Sequence, residues 1–397
     1  MGHLEKYDDV LARDPMAAFG LVREWMRTEW RELFAELRER RPVLVTPVFT
    51  VVTRFADVTE VLSLEEVFSV RAFGPRLDAA LGGAFMLARD ATAMNWREKG
   101  LMQYLLDPAD VPEVRAMAGR LADEALDAAA PNGKIEVVHE LFRPVALGVC
   151  AEYFGFPGPD AQTLSRWSRT IIADCFANYL GDPAIQAASV EAGTQMIAHL
   201  REQLALRRSG TAARSGDVFS RLAASGCDDE RVLVNMAGLP LGFVESGPGA
   251  MVEATEQLLL RPEVLSQAVR DDDFDRYVWE ALRFNPFFKL LPRICERDHE
   301  LSGTLIPAGT FVLAAAASAM FDADVLTEPE SFRLDRPRHH QLFFGHGHHA
   351  CLGVHPARVV ICEAVRRLLR RPGVHVIEAV TRSNGIFPDR FVLGLEA

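Results

Sequence analysis

Five stretches of this chain repeat apolar residues at intervals of three and four, a pattern that restricts it to a largely helical fold. The first, from Met16 to Arg40, sets Phe19, Leu21, Val22, Trp25, Met26, Trp30, Leu33 and Leu37 close to one stripe. Segments 112–130, 183–207, 231–260 and 356–371 read the same way. Three of those four open on proline, which a helix tolerates in its first turn. Strand texture is confined to short pieces. Residues 43–54 are β-branched around a proline suited to a hairpin turn or an edge. Residues 300–314 place Gly303 and Pro307-Ala308-Gly309 between apolar runs, and 382–395 read as a last hairpin. The expectation is a mainly α body with small sheets at its margins. No internal repeat or low-complexity linker divides it, and 207–216 reads as a surface loop, so 1–397 is expected to be a single domain.

Composition narrows the function classes. With 49% apolar and 25% charged residues the chain has an ordinary globular make-up, and its net charge of −12 argues against a surface built to grip nucleic acid. The longest nearly charge-free apolar run, Gly309 to Phe321, falls short of the ~20 residues that span a bilayer. The first residues, MGHLEKYDDVLARD, are too charged for a secretory signal. Six cysteines at 150, 175, 227, 295, 351 and 362 are too scattered for a disulfide framework, so a reducing, cytoplasmic setting is expected.

One cysteine stands apart. The run Phe343-Phe344-Gly345-His346-Gly347-His348-His349-Ala350-Cys351-Leu352-Gly353 precedes the helical pattern at 356–371. Gly345 and Gly347 permit a tight turn with positive φ, and Gly353 lets a flat object approach the backbone. A cysteine just before a helix N-terminus sits where orphan N–H groups and the dipole favour a thiolate. Such a thiolate suits an axial ligand to haem iron. The same residues also admit an inert buried thiol, or a zinc site drawing on His346, His348, His349, His355 and Cys351. Upstream, Glu280 and Arg283 lie three apart on a helix, where their side chains can meet, either as an exposed ion pair or as a buried one locked by further hydrogen bonds.

These residues resemble a known family. The loop matches the cytochrome P450 signature F-G-x-G-x-H-x-C-x-G at every fixed position: Phe344, Gly345, Gly347, His349, Cys351 and Gly353. Glu280-Ala281-Leu282-Arg283 fits the family's E-x-x-R, continued by Pro286 and Arg293. The resemblance covers most of the chain. It implies the P450 fold, a triangular helical body with small β-sheets, holding haem b through the thiolate of Cys351. It also implies Arg293 and His349 as partners of the haem propionates, and Glu280 with Arg283 as a buried structural pair. The family's H-x-x-x-R on the preceding helix appears here as Asn95-x-x-x-Lys99, a spacing that keeps both on one helix face, with Trp96 and Arg97 as rivals.

In the stretch 231–260 the family's acid–alcohol pattern falls on Gly242-Phe243-Val244-Glu245-Ser246, 34 residues before Glu280. By resemblance Glu245 relays protons during oxygen activation, and Ser246 supplies the hydroxyl, without the methyl that restrains χ1 in threonine. Gly247-Pro248-Gly249 follows. Pro248 has no N–H for the Val244 carbonyl, so the helix is predicted to bend or open at 244–248, leaving carbonyls for water.

Positions matching the family's pocket are apolar: Phe73, Ile172, Phe243, Val244, Leu290 and Phe387. They suggest a small hydrophobic substrate. The chain continues for 46 residues past Cys351 without a flavin or iron–sulfur motif, so electrons are expected from a ferredoxin-type donor and its reductase. Arg358, Arg366, Arg367, Arg370 and Arg371 form a basic cluster, either a docking face for that donor or an ordinary solvated helix end. The resemblance thus implies a haem-thiolate monooxygenase acting by hydroxylation or O-dealkylation. An H2O2-using peroxygenase or other atypical P450, or a haem-binding sensor without turnover, are the alternatives.

Overall fold

A computed structural model describes residues 2–178, 180–210, 216–383 and 386–396. The chain forms two compact units. One comprises the chain up to Ala72 with Arg89–Ala91 and Arg283–Cys351, the other Phe73–Ala88, Thr92–Leu282 and the chain from Leu352.

The first unit opens on three helices, His3–Leu11, Pro15–Thr28 and Trp30–Arg40. Asp14 caps the second by accepting from the N–H groups of Met16 and Ala17, with Pro15 in the first turn. The single helix expected over 16–40 is broken at Glu29, whose φ is −136°. Thr28 donates its hydroxyl to the Glu24 carbonyl at 3.0 Å, a back-bond that competes with the helix ladder. The apolar stripe runs on through the junction, which is why periodicity alone misses it.

Five short strands make the main sheet of this unit, in the order Val43–Val45, Thr50–Val52, Phe311–Ala314, Leu291–Cys295 and Phe68–Ser69. The expected hairpin at 43–54 is present, with Val43 opposite Val52. The Thr46 hydroxyl closes its turn by donating to the Phe49 carbonyl at 2.6 Å. A second hairpin pairs His299–Leu301 with Thr304–Ile306. Ser302 and Gly303 turn it with φ of 47° and 74°, the positive pair that a tight two-residue turn requires. Val52, Val61, Phe68, Phe284, Val312 and Met320 are buried together under this sheet. Each such side chain contributes about 1.5–3 kcal/mol by leaving water.

The second unit is mostly helical: Ala93–Leu105, Val111–Ala129, Ala161–Phe176, Pro183–Arg208 and Val354–Leu369 are its longer single helices. The last begins two residues before the expected Pro356. The stretch expected as one helix over 231–260 is two, Asp229–Phe243 and Ser246–Leu259. A three-stranded sheet places Phe387–Gly394 between Lys134–Glu136 and His375–Ser383. The C-terminal hairpin is therefore longer than the expected 382–395, of which residues 384 and 385 lie outside the described residues, as do 211–215 of the expected surface loop. Among the described residues no helix is long and apolar enough to cross a membrane.

Candidate active site

The cysteine loop is shaped by two glycines that no other residue replaces freely. Gly345 and Gly347 hold φ of 74° and 67°. A Cβ on Gly347 would also stand 2.5 Å from the Leu62 carbonyl oxygen and 3.0 Å from the Ser63 Cα. Residues Gly347–His349 then form a single 3-10 turn, and the Cys351 N–H donates to the Phe344 carbonyl at 2.8 Å. Cys351 is exposed, whereas Cys150, Cys175, Cys295 and Cys362 are buried. Burial raises all four of those thiols, Cys175 to about 12, and keeps them neutral and unreactive. At Gly353 a Cβ would meet nothing within 4 Å, so protein packing does not demand glycine there. The space left open there would admit a flat group against the backbone.

Arg293 sits in the strand Leu291–Cys295 and is 6% exposed. Burial pushes its guanidinium down to about 10, with Asp90 pulling the other way, so it stays a cation at neutral pH. Among the described residues its one hydrogen bond goes to the Pro292 carbonyl at 2.8 Å. A buried cation with five donors and so few acceptors fits an anionic group such as a haem propionate. His349 lies beside the same acid: its Nε2 is 3.1 Å from Asp90 Oδ1, which makes Nε2 the donor in the neutral tautomer. Asp90 also accepts from the Val70 N–H at 3.1 Å. Nothing in the sequence pattern marks Asp90; it enters through these contacts alone.

The helix Ala93–Leu105 buries both Asn95 and Lys99 on one face, while Trp96 is 59% exposed and points away. Asn95 donates through Nδ2 to the Met86 carbonyl at 2.8 Å. Glu280 and Arg283 lie on Phe274–Phe284, and both are buried, which removes the exposed-pair reading. Arg283 donates to the carbonyls of Met320 at 2.8 Å and Ser331 at 3.3 Å. Its guanidinium also covers the rings of Phe284 and Phe321, 4.5 and 4.7 Å from their centroids. It thereby fixes the stretch that leads into the cysteine loop.

The central helix breaks where the sequence predicts distortion. Asp229–Phe243 closes with the Val244 N–H on the Pro240 carbonyl at 2.9 Å, and the ladder resumes with the Gly249 N–H on the Glu245 carbonyl at 3.0 Å. Between them Pro248 leaves the Val244 carbonyl without a helical donor. Ser246 donates its hydroxyl to the Gly242 carbonyl, four residues earlier. Glu245 is 1% exposed and is not a surface carboxylate. Arg143 Nη2 lies 3.2 Å from its Oε2, Arg169 Nη1 3.7 Å from the same oxygen, and the Ser165 hydroxyl donates to Oε1 at 3.1 Å. Sequence reasoning missed all three partners, although Arg143, an isolated charge in the apolar run LFRPVALG, carried a signal.

The apolar positions each pack within their own surroundings. Phe73 packs on Phe176 with centroids 5.1 Å apart, and Phe243 meets Phe154 edge-on at 5.3 Å. Ile172 and Val244 are buried, and Phe387 lies under the Arg169 guanidinium at 4.9 Å. These belong to the second unit; Leu290, half-buried, belongs to the first. The basic cluster is largely neutralised by neighbours. Arg366 pairs with Asp275, Arg367 with Asp123 and Glu363, and Arg371 with Asp127. Together they line a cavity beside Arg370 rather than a free cationic face.

An exposed cysteine on a glycine-shaped loop has the chemistry of a haem-thiolate ligand. Residues 274–390 match the family model described as Cytochrome P450. The chain is 28% identical over 356 residues to cyclomarin C epoxidase CymV of Salinispora arenicola, covering 85% of this chain and 87% of that protein. It is 28% identical over 371 residues to vitamin D(3) 25-hydroxylase of Pseudonocardia autotrophica, covering 84% of each. The crystal structure of CalO2 superposes with a TM-score of 0.82 at 22% identity, covering 93% of this chain and 96% of that one, which establishes the shared fold. The chain belongs to the cytochrome P450 family and is a P450 monooxygenase, and the family carries haem on a cysteine thiolate.

Proposed function

We propose that this chain, working as one haem domain over 1–397, inserts one oxygen atom from O2 into a small hydrophobic organic substrate by hydroxylation or O-dealkylation. Its electrons come from a separate ferredoxin-type donor and its reductase. Haem b, when bound, supplies the redox and oxygen chemistry. The Cys351 thiolate holds the iron, with Phe344, Gly345 and Gly353 shaping the surface on which the ring rests. Arg293, His349, Asn95 and Lys99 hold the propionates, a role supported by the buried charge of Arg293.

Glu245 holds the proton destined for oxygen, and Ser246 orients it through a hydroxyl already anchored on Gly242. The opened backbone between them admits solvent to that pair. Phe73, Ile172, Phe243, Val244, Leu290 and Phe387 exclude water from the substrate. The four buried neutral thiols suit a reducing cytoplasm.

The observation that carries the reading is a buried carboxylate at a helix break, in a chain that also presents one cysteine on a glycine-shaped loop. The carbon monoxide difference spectrum of the reduced holoprotein tests it: a Soret band at the thiolate position supports it, and a band at the imidazole position overturns it. Turnover with reduced ferredoxin and O2, compared with H2O2 alone, separates the monooxygenase from a peroxygenase.

A further inference from the structure

Glu245 belongs to a closed ring of polar contacts that reaches the protein surface. Arg143 bridges Glu245 Oε2 and the Nδ1 of His139. His139 Nε2 lies 2.9 Å from the Asp389 carbonyl oxygen. The Asp389 carboxylate takes Arg169 Nη2 at 2.6 Å, and Arg169 returns to Glu245 Oε2. The ring draws on four elements: the turn Val138–Phe142 with the helix Arg143–Glu152, the helix Ala161–Phe176, the break at 244–245, and the strand Phe387–Gly394. Glu245 is 1% and Arg143 8% exposed, whereas His139 is exposed.

The donors around the ring admit one arrangement of the histidine. Arg143 can only donate, so Nδ1 accepts; the Asp389 carbonyl can only accept, so Nε2 carries the hydrogen. With that tautomer each contact of the ring joins a donor to an acceptor. Arg143 is held from both ends, by His139 and by Glu245, and Arg169 likewise by Asp389 and Glu245. Both guanidiniums converge on the same oxygen, Oε2. Oε1 is left with the Ser165 hydroxyl, a neutral and rotatable donor.

We propose that Arg143 and Arg169 are positioning residues for Glu245: they pin Oε2 and leave Oε1 as the oxygen that takes up and passes on a proton. His139 and Asp389 set the two arginines in turn. This rests on the proton role of Glu245 proposed above. The ring also ties Glu245 to Phe387, whose face Arg169 covers, so a substrate leaning on that ring acts on the clamp that holds the carboxylate.

The holoenzyme tests this in two measurements. Nitrogen-15 NMR of labelled histidine is expected to show His139 as the Nε2–H tautomer. In Arg143→Gln, where Nδ1 loses its charged donor, a mixture of tautomers is expected. An Nδ1–H tautomer in the wild type, or an unchanged spectrum in the variant, overturns the ring. The second measurement is product formed per electron pair consumed. Ser165→Ala, which removes a single hydroxyl, is expected to lower it about twofold, and Arg169→Gln and Arg143→Gln at least fivefold, with the substrate-induced spin shift and KM unchanged. Arg143→Lys, which keeps the charge, is expected to recover at least half of the loss. Should Glu245→Gln keep full coupling, the proton role of Glu245 fails. Should Glu245→Gln lose coupling while Arg169→Gln and Ser165→Ala keep it, the positioning role alone fails.

Discussion

The His349 ring donates to Asp90 across 3.1 Å, so the histidine of the cysteine loop is oriented by an acid just ahead of the helix Ala93–Leu105. Asp90 is also the carboxylate whose charge supports buried Arg293. One side chain thus sets two of the groups assigned to the haem propionates.

Removing that charge loosens both. Asp90→Asn is expected to speed haem loss about threefold, and Arg293→Leu about tenfold or more, in keeping with the ~1.5–3 kcal/mol of a hydrogen bond to a charged group. Haem transfer to apomyoglobin, followed at the Soret band, measures both. Rates equal to the wild type in Arg293→Leu would remove Arg293 from the propionate site.

Pro248 withholds a donor from the Val244 carbonyl at the break. Pro248→Ala restores a donor for the Val244 carbonyl, and the helix is expected to close over it. A helix-interior proline costs up to about 3 kcal/mol, so the holoprotein is expected to melt a few degrees higher while forming less product per electron. A lower melting temperature would show that the surrounding core requires the open form.

Ser246 keeps its hydroxyl on Gly242 without the methyl that would fix it. Ser246→Ala is expected to raise peroxide release relative to product at least threefold. Ser246→Thr, with a stiffer χ1, is expected to match or improve on the wild type. Peroxide and product assayed in the same reaction decide between them.

Glu98 sets an acid limit on stability. Burial opposes its charge, but a two-point contact from Arg231 at 2.5 and 2.8 Å and a bond from Asn235 at 2.9 Å outweigh that and hold its carboxyl below the usual range. A carboxyl lowered by folding stabilises above its unfolded value of about 4.3, and the contribution disappears as pH falls through the lower folded value. Glu98→Gln is expected to lose about 3 kcal/mol at pH 7 and to show a shallower decline below about pH 4 than the wild type. Urea midpoints at the two pH values measure this, and parallel acid limbs would contradict it.

The helices and the cysteine loop were legible because their signals are local: a period of 3.6, prolines opening the helical stretches, glycines at fixed offsets from Cys351. The break at Glu29 was hidden, since the apolar stripe continues across it and only the Thr28 back-bond reveals it. Glu245 was visible as a residue type beside Ser246, but its partners Arg143, Ser165 and Arg169 stand on other helices, brought near by tertiary packing that no spacing encodes. The arginine cluster shows the same limit from the other side. Its charges adjoin in sequence, while Asp123, Asp127 and Asp275, which neutralise them, lie far away along the chain.

Gly347 carries a wider consequence. With the Leu62 carbonyl occupying the place of a side chain, the cysteine loop and the end of the helix Phe55–Ser63 share one boundary and can drift only together. Variation along this lineage should therefore appear as paired substitutions around 60–63 and 345–349, never as a lone replacement at 347, and an engineer wishing to re-aim the sulfur must redesign that helix end first.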